Sequence, residues 1–136
     1  MKRNMKVRSL MAGIVVILAV ALFSCGGGSS YGGGGGGYVL PRVFALSSPA
    51  DNATMVTTTP TLIWTPSKGA TDYRVQVDTT GAFTGTLVIN VSEGATTYSY
   101  TVLPADNLVG GTLYHWRVIA ESAYGQAIAG PRTFTP

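Results

Sequence analysis

The sequence predicts an all-β fold, a seven-stranded Greek-key β-sandwich, and three observations carry that expectation. From residue 41 onward, short runs of alternating apolar and polar residues are broken about every ten positions by Gly, Pro, Asp or Asn, the spacing of antiparallel strands and turns. All seventeen threonines follow residue 50. Charged residues make up 11% of the chain, against roughly 25% in an average soluble domain, so β-branched hydroxyls that favour strands supply much of the polar surface. No segment keeps a convincing helical apolar period.

The strands are expected at about 42–47, 60–65, 72–78, 86–91, 97–102, 112–121 and 126–135. Two of them alternate cleanly. Tyr73, Val75 and Val77 oppose Arg74, Gln76 and Asp78, while Tyr114, Trp116, Val118 and Ala120 oppose His115, Arg117 and Glu121, with Ile119 the exception. One apolar face per strand calls for a second sheet to cover it, which favours a two-layer sandwich over the alternative of a closed barrel. Leu62 and Trp64 fall on the second strand, with Trp64 expected as the largest core residue between the sheets. A single cysteine rules out an intramolecular disulfide, so about 95 residues must be held by apolar burial.

The chain ahead of this domain divides into two further parts. Residues 1–24 have the order of an export signal: a basic stretch with Lys2, Arg3, Lys6 and Arg8, an apolar run from Leu10 to Phe23, and Ser24 directly before Cys25. As a helix, that run would fall short of the roughly 30 Å hydrocarbon core of a bilayer. Residues 25–40 form the second part, a cysteine followed by a tether in which nine of the twelve residues from Gly26 to Gly37 are glycine. Such a stretch has too little apolar surface to order itself, and with no strand before it and no helix carrying Lys-Ser/Thr after it, it lacks the setting of a phosphate loop. Residues 41–136 remain as the domain.

Removing the signal also removes the basic character. The whole chain carries a formal charge of +3, but the part after Cys25 holds five basic and six acidic residues and is close to neutral. Nucleic acid is therefore excluded as an expected partner.

Leu22-Phe23-Ser24-Cys25 resembles the lipobox of bacterial lipoproteins, with Phe23 bulkier than the usual residue at the permissive middle position. The resemblance implies cleavage between Ser24 and Cys25, acylation of Cys25, and attachment to a lipid bilayer in the cell envelope. Gly26 in place of an aspartate implies the outer membrane if the cell is Gram-negative. More than one acyl chain makes such attachment stable, at roughly 0.8 kcal/mol per buried CH₂.

The domain itself resembles fibronectin type III modules. Leu62 and Trp64, Tyr73, Leu108 six residues before Tyr114, the run Gly110 to Val118, Gly125, and Pro131-Arg132-Thr133-Phe134 carry the resemblance. The connection Leu103 to Asn107 is longer than in most such modules. The resemblance implies an immunoglobulin-like sandwich whose core includes Leu62, Trp64, Tyr73, Val75, Leu108, Tyr114, Trp116 and Val118. It also implies a tyrosine corner, in which the Tyr114 hydroxyl returns to backbone near Leu108.

Catalysis is not expected. The inventory offers one histidine, His115, on the solvent side of a strand, six scattered carboxylates, and no HExxH, CxxC, GxSxG or EF-hand spacing. No cofactor and no metal site is expected. Asn52-Ala53-Thr54 and Asn90-Val91-Ser92 fit the glycosylation pattern but are discounted in a bacterial lipoprotein.

Function falls to the loops, in two sets. Residues 66–71, 92–96 and 122–125, with Lys68, Glu93 and Tyr124, share the end at which the tether enters and so face the membrane. Residues 51–59, 79–85 and 103–111 share the outward end with Pro136, and partner contacts are expected there. Tyr124 is a candidate contact for a sugar or protein, although a tyrosine in that turn more often covers the sandwich end. The expected role is interaction with an envelope protein or glycan, in adhesion or assembly. The alternatives are a passive spacer of the envelope and, more remotely, an accessory subunit of an enzyme; an edge strand offers a further route to a partner.

Overall fold

The computed structural model describes residues 37–136; Ser24 and Cys25 lie outside the described residues. The body carries seven strands and one helical turn: β1 Leu46–Ser48, β2 Thr61–Trp64, β3 Asp72–Asp78, β4 Ile89–Ser92, β5 Ser99–Thr101, a 3-10 turn Pro104–Asp106, β6 Tyr114–Ser122 and β7 Gly125–Phe134. They form two antiparallel sheets, β1-β2-β5 and β4-β3-β6-β7, so the chain crosses between layers in the Greek-key manner.

The two strands with the cleanest alternation, β3 and β6, pair at the centre of the larger sheet, Val75 opposite Val118 and Val77 opposite Trp116. All four of these side chains are fully buried. Leu62 and Trp64 project from β2 into the same layer, closed by Phe44, Leu46, Val102, Leu108, Tyr114 and Phe134. Two tryptophans of equal size are buried in this core, the expected Trp64 on β2 and Trp116 on β6. Both stand on strands flanked on each side, β2 between β1 and β5 and β6 between β3 and β7. Truncating Trp116 to alanine removes about 3–5 kcal/mol, a large share of a small domain's stability.

Three further differences from the sequence expectation have local causes. β1 is shorter than 42–47, because the register shifts between Leu46 and Ser48 and the chain before it bonds to loop backbone, Arg42 N–H to Lys68 O at 3.0 Å. The long connection after Val102 is taken up by the 3-10 turn, where the Asp106 carboxylate accepts from Leu103 N–H at 2.8 Å and Asn107 closes in the left-handed region.

Gln76 and Asp78, expected on the wet face of β3, are buried. The 79–85 loop folds over that face and lays Phe83 beneath the Arg117 guanidinium, 4.2 Å from the ring centre. Arg117 Nε in turn donates to Gln76 Oε1 at 2.8 Å. A polar strand face has thus become a small second core, held by cation–π and hydrogen-bond contacts.

Candidate functional site

The sandwich presents two loop ends, and a tyrosine hydroxyl ties each to the core. At the end holding residues 66–71, Tyr73 on β3 accepts a hydrogen bond from Ser67 N–H at 2.6 Å. At the end holding residues 103–111, Tyr114 on β6 accepts from Val109 N–H at 2.9 Å. This is the tyrosine-corner geometry, one residue past Leu108. The tie made by Tyr73 escaped the sequence reading, because periodicity reports only which way a ring points and not what its hydroxyl meets.

The first end gathers the chain from residue 38. Ser122 Oγ donates to Val39 O at 3.1 Å, and the Tyr38 ring stands edge-on to Tyr124 at 4.9 Å. Two glycines make room for this crossing. A side chain at Gly69, whose φ is +92°, would meet Val39 Cγ1 at 2.6 Å and Leu40 O at 2.7 Å, and one at Gly125 would meet Leu40 Cδ2 at 2.8 Å. The last residues of the expected tether, Tyr38 to Leu40, therefore lie against the 66–71 and 122–125 loops. Tyr124 is half exposed beside Tyr38. A groove here is lined by Tyr38, Val39, Leu40, Pro41, Arg42 and Lys68.

The opposite end is built differently. Its loops are tied to the C-terminal strand by Thr133 N–H to Asp51 Oδ1 at 2.9 Å, Thr135 N–H to Ala53 O at 2.8 Å and Gly111 N–H to Pro136 O at 2.8 Å. Among the described residues, all four non-glycine positions with positive φ, Asn52, Met55, Phe83 and Asn107, sit in its three loops. Asparagine tolerates that conformation, but for Met55 and Phe83 it costs roughly 1–2 kcal/mol each. Met55 is 92% exposed, and Leu103, Val109 and Leu113 are also exposed on this side. No sequence signal marks Met55, since its conformation is imposed by the fixed positions of Ala53 and Val56 against β7.

The ionisable groups are held in place by neighbours. The Thr80 hydroxyl donates to Asp78, and with the Thr79 and Thr80 amides and nearby His115 it holds that carboxylate below its ordinary range against the opposing effect of burial. Burial, then the hydrogen bond to Asp106 at 3.0 Å, pushes the Tyr100 phenol up to about 12. The Arg74–Glu121 ion pair, 3.2 Å, joins β3 to β6. His115 stands half-buried beside Gly81. Among the described residues no group of three or more His, Cys, Asp or Glu side chains is placed to hold a metal ion.

Of the residues assigned to the core, Leu62, Trp64, Tyr73, Val75, Leu108, Tyr114, Trp116 and Val118 are all found buried. Among solved structures, the chain is similar to a Fn3-like protein from Clostridium thermocellum, with 20% identity, a TM-score of 0.50, and coverage of 70% of this chain and 92% of that one. The fold is fibronectin type III-like. FN3tt mut is a further neighbour, with 22% identity, a TM-score of 0.43, and coverage of 71% and 91%. No protein-family model and no curated protein matches the chain.

Proposed function

We propose that the chain is an exported lipoprotein of the cell envelope, anchored through acylated Cys25, whose sandwich binds a protein partner through the 51–59, 79–85 and 103–111 loops. One observation carries the binding assignment: non-glycine residues are held in a costly backbone conformation at this end alone, and one of them, Met55, is displayed to solvent. Strain retained against stability is a mark of sites kept for function. The displayed side chains are flexible or aliphatic, namely Met55, Val109 and Leu113, which suits a protein surface better than the aromatic stacking a sugar needs. No catalytic step is assigned.

A photo-crosslinker placed at position 55 or 109, in the full chain expressed in its own cells, tests the binding reading. It should capture one envelope protein that a crosslinker at position 68 does not. Met55→Gly should stabilise the fold by about 1 kcal/mol and weaken that capture about tenfold. Capture only from the 66–71, 92–96 and 122–125 loops overturns the reading. Separately, Cys25→Ser should move the chain out of the membrane fraction, and retention there would remove the anchor.

A further inference from the structure

We infer that the end carrying Tyr38, Val39, Leu40, Val43 and Tyr124 is a foot that rests on the bilayer interface and orients the sandwich with its opposite end outward. The inference rests on the lipoprotein reading for the nearness of a membrane, but the contact itself is argued from the body. Tyr38 is 83% exposed and Val43 96%, on either side of the half-exposed Val39 and Leu40. Arg42 and Lys68 flank them, both exposed and neither in an ion pair among the described residues. Tyrosines with a polar tip, aliphatic side chains, and long basic side chains able to reach phosphate are the composition that settles at the headgroup boundary.

Geometry selects the bilayer as the occupant. Twelve residues separate Cys25 from Tyr38, so covalent geometry limits their separation to roughly 45 Å at the most. The ten residues of β7 make the sandwich roughly 30 Å long at about 3.3 Å per residue. An anchor at Cys25 therefore keeps the end that carries Tyr38 within reach of the lipid surface, and the apolar and aromatic side chains there favour that end over the other for contact. A tether this short gives an effective concentration in the millimolar range, so a footprint too weak to bind from solution is still occupied.

Electrostatics supplies little of the attraction. Asp72, whose carboxylate accepts from Gly94 N–H at 2.8 Å, and Glu93 in the 92–96 loop balance the charges of Arg42 and Lys68, and Arg74 and Glu121 pair with each other. Contact through apolar and aromatic groups should therefore persist on zwitterionic lipid and in high salt, where a charge-driven contact is screened.

The mature chain from Cys25 has one thiol, so it can be coupled to a maleimide lipid in phosphatidylcholine vesicles whether or not the cell acylates it. Tyr38→Trp places a reporter in the foot and Val109→Trp one at the far end, while Trp64 and Trp116 stay buried in both. With brominated acyl chains, the reporter at position 38 should lose about half its emission, and the one at 109 less than about a tenth, as expected for insertion to the headgroup boundary.

Val43→Glu should abolish most of the loss at position 38, Met55→Glu should leave it, and about 1 M salt should leave it too. Equal loss at both reporters, or loss that disappears in salt, overturns the inference. Mass measurement of the chain extracted from envelopes reads acylation independently. Unacylated Cys25 with quenching intact sinks the anchor alone, and acylated Cys25 without quenching sinks the foot alone.

Discussion

The two ends of the sandwich solve the same problem, turning the chain between strands, with different residues. Where the chain enters, the positive-φ positions Gly69, Gly94 and Gly125 are glycine, and the backbone pays little for its turns. At the opposite end Gly85 and Gly111 do the same, but Asn52, Met55, Phe83 and Asn107 also take that kind of conformation with a side chain attached. The first end is shaped to let a strap cross closely over it, the second to hold side chains where they would not otherwise go. At Gly69 the close approach of the Leu40 backbone excludes a side chain, whereas a strained side chain marks a place where the side chain itself is wanted.

The sharpest way to break that contrast is Gly69→Val. The new side chain would collide with Val39 Cγ1 and the Leu40 carbonyl in a conformation valine resists. A loss of about 2–3 kcal/mol by denaturant titration is expected, together with faster exchange of the Arg42 amide, which donates to Lys68 O. A stability unchanged from the parent would mean that the strap is not docked.

Tyr73→Phe and Tyr114→Phe form the next test, one at each end. Each leaves a backbone amide, of Ser67 or Val109, without its acceptor. A loss of about 1–2 kcal/mol is expected for both, with the larger at Ser67, which is buried while Val109 is exposed. Equal or reversed losses would show that the ends are tied with similar force despite their different burial.

The smallest effect is electrostatic and belongs to the far end. Tyr100 is held neutral in the fold by burial and by Asp106, its pKa raised to about 12, whereas an unfolded tyrosine titrates near 10. Its contribution to stability is therefore complete below pH ~10 and is lost as the pH rises through about 12. Phenolate absorbance on alkaline titration should show a tyrosine ionising near pH 12 that is missing in Tyr100→Phe, and that variant should flatten the alkaline fall in stability. A tyrosine titrating with the exposed ones would place Tyr100 outside the 3-10 turn's support.

Much of this body was legible in the order of residues, because a strand buried on one face must alternate. Tyr73, Val75 and Val77, and Tyr114, Trp116 and Val118, declare both their strands and their shared core by period alone. The signal-like order of residues 1–24, the lipobox-like tetrapeptide ending at Cys25 and the glycine-rich run after it are also local patterns of sequence, and the envelope reading proposed above rests on them alone. The candidate site was less so. Grouping the loops into two ends followed from strand order, and Tyr124 was marked by exposure beside a glycine, but its partner Tyr38 stood at the end of a run read only as linker.

What the tertiary structure decided involves residues far apart in sequence meeting in a fixed frame. Gln76 and Asp78 became buried because a loop ending at Gly85 returned over them and Arg117 arrived from another strand. Met55 took a left-handed turn because β7, nearly eighty residues later in the chain, pins both sides of it. Periodicity records which face of its own element a residue occupies, while strain and polar burial depend on what a distant segment brings to that face, and no local pattern carries that information.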